Sequence, residues 1–343
     1  MSIAPGPAHP SPMETGLAPV PHGGGKGGGN WMRAVLVIVL VAVALCAAVP
    51  FASEYVLHVL ITSMYYTILA ASWNLLAGFT GQFSLAHQAF AAIGAYTSGL
   101  LMVRCGFAMW AAIACGIAAA GVLGLALGRM VLRMRTIYLA IATWAFAETV
   151  HIVLTAGYAI TRGELGLTVP PLFADLDVRS YYYVFIALTL VSLAAMYAMV
   201  SSRLGIFMRA IKDDELRAET LGMNTTRMKV LVFTVTSAFA GLAGAFYAHY
   251  VVVLSPQIAD FSEMAKLVIM VVVGGLGSFV GPLIAVAPIQ SLHLYLAKYG
   301  EWDMVIYAFA VIVLLRAQIG GVAALMRRFW RKCRSIAVMS ALE

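Results

Sequence analysis

Tyr181-Tyr182-Tyr183-Val184-Phe185-Ile186-Ala187-Leu188-Thr189-Leu190-Val191-Ser192-Leu193-Ala194-Ala195-Met196-Tyr197-Ala198-Met199-Val200-Ser201-Ser202 runs for 22 residues without a charged side chain. It is followed at once by Arg203-Leu204-Gly205-Ile206-Phe207-Met208-Arg209-Ala210-Ile211-Lys212-Asp213-Asp214-Glu215-Leu216-Arg217-Ala218-Glu219-Thr220-Leu221-Gly222-Met223-Asn224, in which eight residues are charged. The first stretch is long enough to cross a hydrocarbon core of about 30 Å, which takes roughly 20 helical residues. The second is too polar to enter lipid. Similar apolar runs recur from Ala34 to Leu315. They predict an all-α, polytopic transmembrane helical bundle of about ten spans, at 34–52, 55–77, 84–103, 107–128, 136–157, 181–202, 228–254, 263–279, 280–299 and 303–316. The run at 84–103 begins with a polar third, so it reads equally as a span or as a re-entrant segment. A transmembrane barrel is excluded, because its strands would alternate in polarity over about ten residues.

Composition agrees. Hydrophobic residues make up 62% of the 343-residue chain and charged residues 11%, against about 45–50% and about 25% in a soluble domain. A water-soluble enzyme of this size would need far more surface charge. Residues 1–30 hold six of the 12 prolines and eight of the 31 glycines, and such a segment buries too little apolar surface to offset chain entropy. The expected organisation is a disordered tail at 1–30, a transmembrane domain at 31–318 and a basic tail at 319–343.

The net charge of +7 does not point to nucleic acid, because the cations collect in a few loops. With ten spans and a cytoplasmic N-terminus, 17 of the 22 Lys and Arg fall on the inner side, including Arg129, Arg133, Arg203, Arg209, Lys212 and the cluster Arg327 to Arg334. That asymmetry is the positive-inside pattern expected of an inner-membrane protein, and it agrees with both termini lying on the cytoplasmic side. Cys46, Cys105, Cys115 and Cys333 form no CxxC and no metal-ligand spacing.

Five groups of residues invite a role. In the polar island, Asp213 stands four residues before Arg217, the favourable order for a helical pair. Gly222 falls where a left-handed cap would end the helix, and Phe207, Ile211, Ala218 and Leu221 fall near one face. This reads either as a solvated loop helix held by ion pairs or as a helix that docks into a cytoplasmic partner. In the second group, Asn74, Gln82, Ser84, His87 and Gln88 are polar near membrane depth, with Gly78 and Gly81 able to break the helix. They act either as interhelical hydrogen-bonding groups or as the wall of a path. In the third, Glu148 and His151 lie one turn apart inside an apolar run, as a neutralising pair or as a substrate or gating element. Lys266, three residues after Glu263, reads as snorkelling to the outer interface, or as a positive charge offered to an anionic cargo. Finally, Gly277 with Gly281, and Ser237 with Gly241 and Ala245, have small-xxx-small spacing.

Other motifs fail. Gly25-Lys26 is followed by Gly27 rather than the Ser or Thr of a phosphate loop. Asn224-Thr225-Thr226 matches a glycosylation acceptor but lies in the expected cytoplasmic loop. There is no HExxH or GxSxG, no convergent catalytic set and no metal site.

In their order and spacing, these segments resemble the permease subunits of branched-chain amino acid ABC importers, of the LivM type. The carriers are Asn74-Leu75-Leu76-Ala77-Gly78 with Gly81-Gln82-Phe83-Ser84-Leu85-Ala86-His87, and Ile137-Tyr138-Leu139-Ala140-Ile141-Ala142-Thr143 with Ala145-Phe146-Ala147-Glu148. They continue with Arg209-Ala210-Ile211-Lys212-Asp213-Asp214-Glu215 and Ala218-Glu219-Thr220-Leu221-Gly222, then Ala240-Gly241-Leu242-Ala243-Gly244-Ala245 and Gly274-Gly275-Leu276-Gly277-Ser278 with Gly281-Pro282. The sequence departs from the pattern at Ala86, where the family commonly has Gly, at His151, where it often has Arg, and at Lys266, where an acidic residue is usual.

The resemblance implies a type II-like ABC importer permease, paired with a homologous permease in a heterodimer, two cytoplasmic ABC ATPases and a periplasmic substrate-binding protein. It implies no catalysis and no cofactor in this chain, with ATP and Mg on the ATPases. Arg209, Asp213, Asp214, Glu215, Ala218 and Gly222 would then couple to the ATPase. Asn74, Gln82, Ser84, His87 and Glu148 are the candidates for the translocation path. The cargo would be a branched-chain or related amino acid. Alternatives are another small solute, such as urea or an organic or aromatic acid, or an ion-coupled secondary carrier. The last would need buried carboxylates, and only Glu148 sits clearly within a span.

Overall fold

The computed structural model describes residues 53–134, 136–173 and 177–296. The expected spans at 34–52 and 303–316 and both tails lie outside the described residues. Among the described residues ten α-helices of six residues or more carry the fold: α1 (Glu54–Asn74), α2 (His87–Cys105), α3 (Met109–Val131), α4 (Thr136–Ala156), α5 (Val178–Ser201), α6 (Arg203–Asp213), α7 (Glu215–Thr220), α8 (Thr225–Val251), α9 (Phe261–Gly274) and α10 (Val280–Leu296). The all-α expectation needs one small amendment. Leu167–Thr168 pairs antiparallel with Val253–Leu254, Leu167 opposite Leu254.

Among the described residues five helices are long and apolar enough to cross a membrane: Glu54–Phe79, Met109–Val131, Ile137–Ala156, Val178–Ser201 and Thr225–Val251. They match five expected spans. The count of ten is not confirmed: two of the expected spans lie outside the described residues, and others are shorter or more broken than expected. Helix α9 has 14 residues and rises only about 21 Å at about 1.5 Å per residue, short of the roughly 30 Å core. The apolar run at 263–279 does not continue as helix, because Gly275 (φ 109°) and Gly277 (φ 77°) turn the chain. Gly277 and Gly281 are therefore not a helix-packing pair; the first belongs to a turn and only the second to a helix. Segment 84–103 is helical only from His87 onward.

Small residues set the core. A Cβ added at Gly94 would stand 2.2 Å from the carbonyl oxygen of Gly241, one at Gly116 2.5 Å from that of Gly94, and one at Gly244 1.9 Å from that of Ala91. The backbones of α2, α3 and α8 thus touch along one seam. Lipid supplies no hydrophobic force between helices, so close backbone approach is what holds them. Ser237 and Gly241 face this seam, opposite Gly124 and Ala120, as their spacing suggested. On the other side of α8, Tyr247 stacks on Tyr65 of α1 with ring centroids 4.2 Å apart. Helix α4 leaves Ile137, Ile141, Trp144, Ile152 and Val153 exposed, an outer face apolar enough for lipid. At the start of α5, Asp177 accepts from the Arg179 backbone N–H, which holds its carboxyl below the usual carboxylate range.

Candidate functional site

The site is built where two helices stop. Helix α1 does not end at Asn74 but widens into a π turn over Leu75–Phe79. The chain then leaves helical geometry at Gly81 (φ 73°) and is pinned by Trp73, whose indole N–H donates to Ser84 O at 2.7 Å. Leu85 N–H donates to Thr143 Oγ1 of α4 at 3.0 Å, and α2 begins at His87. The break anticipated from Gly78 and Gly81 is therefore present. The second break is the turn after α9. Asn74 ties the two together: its Nδ2 donates to Ser278 O and its Oδ1 accepts from Gly277 N, both at 2.9 Å. A Cβ at Gly78 would sit 2.5 Å from Gly277 N, so only glycine lets the two breaks meet.

The polar island packs against these breaks. Its expected single amphipathic helix is two helices, because Asp214 is extended (φ −161°, ψ 104°). Helix α6 starts at the Ser202 cap, whose side chain accepts from Leu204 N, and buries Gly205, Met208 and Ile211. Asp214 caps α7 by accepting from Arg217 N at 3.1 Å, and its other oxygen pairs with Arg217 Nε at 2.9 Å. The expected Asp213–Arg217 pair is thus replaced by Asp214–Arg217, since the break resets the helical phase. Gly222 has φ 82° and Met223 N–H returns to Ala218 O, the left-handed cap the sequence announced. Glu215 pairs with Lys229 of α8, and Glu219 accepts from Thr225 Oγ1 at 2.6 Å. Ala218 is buried, while Leu216 is 72% and Leu221 80% exposed. The pair of helices is fastened at both ends and presents apolar side chains outward.

One contact joins island and breaks directly. Lys212 Nζ donates to Gly78 O at 2.7 Å. Between them lies a cavity of about 490 Å³ lined by Gln82, Lys212, Asp213, Asp214, Glu215 and Lys229 among others.

The candidate path residues divide. Asn74, Gln82, Ser84 and His87 are all buried around the first break. Asn74 and Ser84 are committed to backbone partners, Ser84 Oγ accepting from Ala86 N. The side chains of Gln82 and His87 have no hydrogen-bond partner among the described residues. Glu148 lies on α4 and forms no ion pair with His151; His151 Nδ1 instead lies 3.2 Å from Pro256 O, so the neutralising pair does not form. Lys266 does not snorkel. Its side chain is 12% exposed and pairs with Glu263, with His293 Nε2 at 3.2 Å. The pair neutralises the charge reversal at that position and removes its support for an acidic cargo. A second, smaller cavity of about 180 Å³, lined by Tyr65, Tyr66, Gln88, Tyr247 and Glu263 among others, has no local sequence signature, because its walls come from four separate segments. Among the described residues no group of three or more His, Cys, Asp or Glu could hold a metal ion.

Long apolar helices joined through broken ends and a polar helix pair are the architecture of a multi-pass helical membrane protein. Residues 55–315 match the family described as branched-chain amino acid transport system / permease component, and the chain belongs to that family. It is 29% identical over 316 residues to the high-affinity branched-chain amino acid transport system permease protein LivM of Escherichia coli, covering 84% of this chain and 74% of that protein. It is 30% identical over 281 residues to the LivM protein of Salmonella typhimurium, covering 74% of this chain and 66% of that one. It is also 27% identical over 275 residues to the permease protein LivH of Escherichia coli, covering 73% and 88%. No solved structure matches the chain.

Proposed function

We propose that this chain is the membrane-spanning subunit of an ATP-driven importer in a bacterial inner membrane, with both termini cytoplasmic. Its cargo is a branched-chain or related amino acid handed over by a periplasmic binding protein. It works as a heterodimer with a homologous permease, and two cytoplasmic ATPases supply the ATP and Mg chemistry. The chain itself makes and breaks no covalent bond. The observation that carries this reading is the α6–α7 pair: capped at Ser202, Asp214 and Gly222 and paired to α8 through Glu215, it still points Leu216 and Leu221 into solvent. A solvated loop has no use for that apolar face, whereas a handle gripped by a motor does. Arg209, Asp213, Asp214 and Glu215 supply the polar rim around it. Cargo passes the first break, where Gln82 and His87 hold polar atoms not used by the fold.

The test is uptake in vesicles carrying the whole complex. Uptake stops when the ATPase subunits are deleted; persistence overturns the reading. Asp214→Lys reverses the charge that caps α7, and Gly222→Trp places a bulky side chain in left-handed backbone. Both variants insert normally but hydrolyse ATP without moving cargo. Wild-type uptake in both contradicts docking at this loop.

A further inference from the structure

We infer that Lys212 is a positioning residue that carries displacement of the α6–α7 pair into both helix breaks. Its ammonium is hydrogen-bonded to Gly78 O at 2.7 Å and lies 3.0 Å from where a Cβ of Gly277 would stand. Its Cγ lies 3.5 Å from the corresponding point at Gly81. One side chain therefore spans three glycines, two in the first break and one in the second. A methyl group at Gly277 would stand against the ammonium, and at Gly81 and Gly277 the backbone has positive φ that disfavours any other residue.

Electrostatics favours this placement. Helices α1 and α9 both end here, and each presents carbonyls without intrahelical partners and the negative end of its dipole. A cation at the meeting of two such ends is stabilised by both. Of the neighbouring carboxylates, Asp214 pairs with Arg217 and Glu215 with Lys229, and Asp213 forms no ion pair among the described residues. Among the described residues Lys212 forms no ion pair, so its charge faces backbone. The Asn74 side chain then links the breaks to each other. Motion of α6, which is anchored in the core by Met208 and Ile211, reaches Gly78 through Lys212 and the α9 turn through Asn74. Lysine suits this better than arginine, because a compact ammonium on a flexible stem fits a glycine-floored groove.

The inference rests on the importer reading above. The experiment uses the assembled transporter, with its partner permease and ATPases, in proteoliposomes supplied with labelled leucine. Two quantities are read, the rate of ATP hydrolysis and leucine taken up per ATP hydrolysed. Lys212→Met keeps the stem and removes the charge. It assembles and hydrolyses ATP within about twofold of wild type, while uptake per ATP falls about tenfold or more, the scale set by one charge-assisted hydrogen bond. Lys212→Arg, which keeps a cation, recovers part of that loss. Unchanged uptake per ATP in Lys212→Met overturns the inference. Failure of Lys212→Met to assemble also overturns it, because the ammonium then serves folding, as does an Arg variant no better than the Met variant. A wild-type complex that takes up no leucine on addition of ATP fails differently: it overturns the functional reading itself.

Discussion

Along the seam of α2, α3 and α8 the glycines sit inside unbroken helices and touch neighbouring backbones; at 78, 81, 275 and 277 they sit where helices widen or stop. In the seam, Gly94, Gly116, Gly241 and Gly244 remove side-chain volume, and three helices pack backbone against backbone. At the breaks, Gly81, Gly275 and Gly277 supply positive φ, and the freed backbone groups are held by side chains, chiefly Asn74 and Lys212. Each such bond contributes about 0.5–1.5 kcal/mol, or about 1.5–3 kcal/mol where one partner is charged. The molecule thus combines a closely packed seam with a junction held by a few side-chain hydrogen bonds, and the polar helix pair is attached to the junction.

The contrast can be broken in graded steps. Gly244→Leu is expected to have the largest effect. Its Cβ alone would stand 1.9 Å from Ala91 O, and overpacking against backbone costs about 3 kcal/mol or more. Monodisperse protein should not be recovered in detergent; wild-type behaviour on size exclusion would show that the seam is not tight. Asn74→Ala should come next, losing about 2–3 kcal/mol because Gly277 N and Ser278 O lose their partner in a buried junction. A thermal melt in detergent reads the loss, and uptake should fall with it. Gly222→Ala should cost only about 1 kcal/mol, since the position has left-handed φ but nothing within 4 Å of an added Cβ. Arg217→Ala should shift the melt least, by less than about 1 kcal/mol, because the Arg217 side chain is 86% exposed in its pair with Asp214.

What the sequence displayed, and what it hid, follows from the range of each interaction. Long apolar runs announce α1, α3, α4, α5 and α8, since lipid demands internal hydrogen bonding over a fixed length. Gly222 announces its cap, and Gly78 with Gly81 the first break, because backbone conformation is written locally. The Ser237–Gly241 spacing reports the seam. The failures are of two kinds. Ideal helix spacing predicts the pairs Asp213–Arg217 and Glu148–His151, but a kink at Asp214 shifts the first and a contact with Pro256 occupies the second. Its place at the start of an apolar run points Lys266 toward the interface, but Glu263, one turn earlier, is close enough to hold it inside. The contact of Lys212 with Gly78 spans 134 positions, and no periodicity reports a pairing at that distance. The tyrosine-lined cavity was hidden for the same reason.

In the proposed importer the α6–α7 pair is gripped from the cytoplasm by an ATPase. A photo-crosslinking amino acid placed at Leu216 in the assembled complex, with the adduct identified by mass, tests that grip. A crosslink to the ATPase subunit is expected, lost when Asp214 is replaced by Lys. A crosslink to the periplasmic binding protein, or no protein adduct from a complex that still transports, would contradict it.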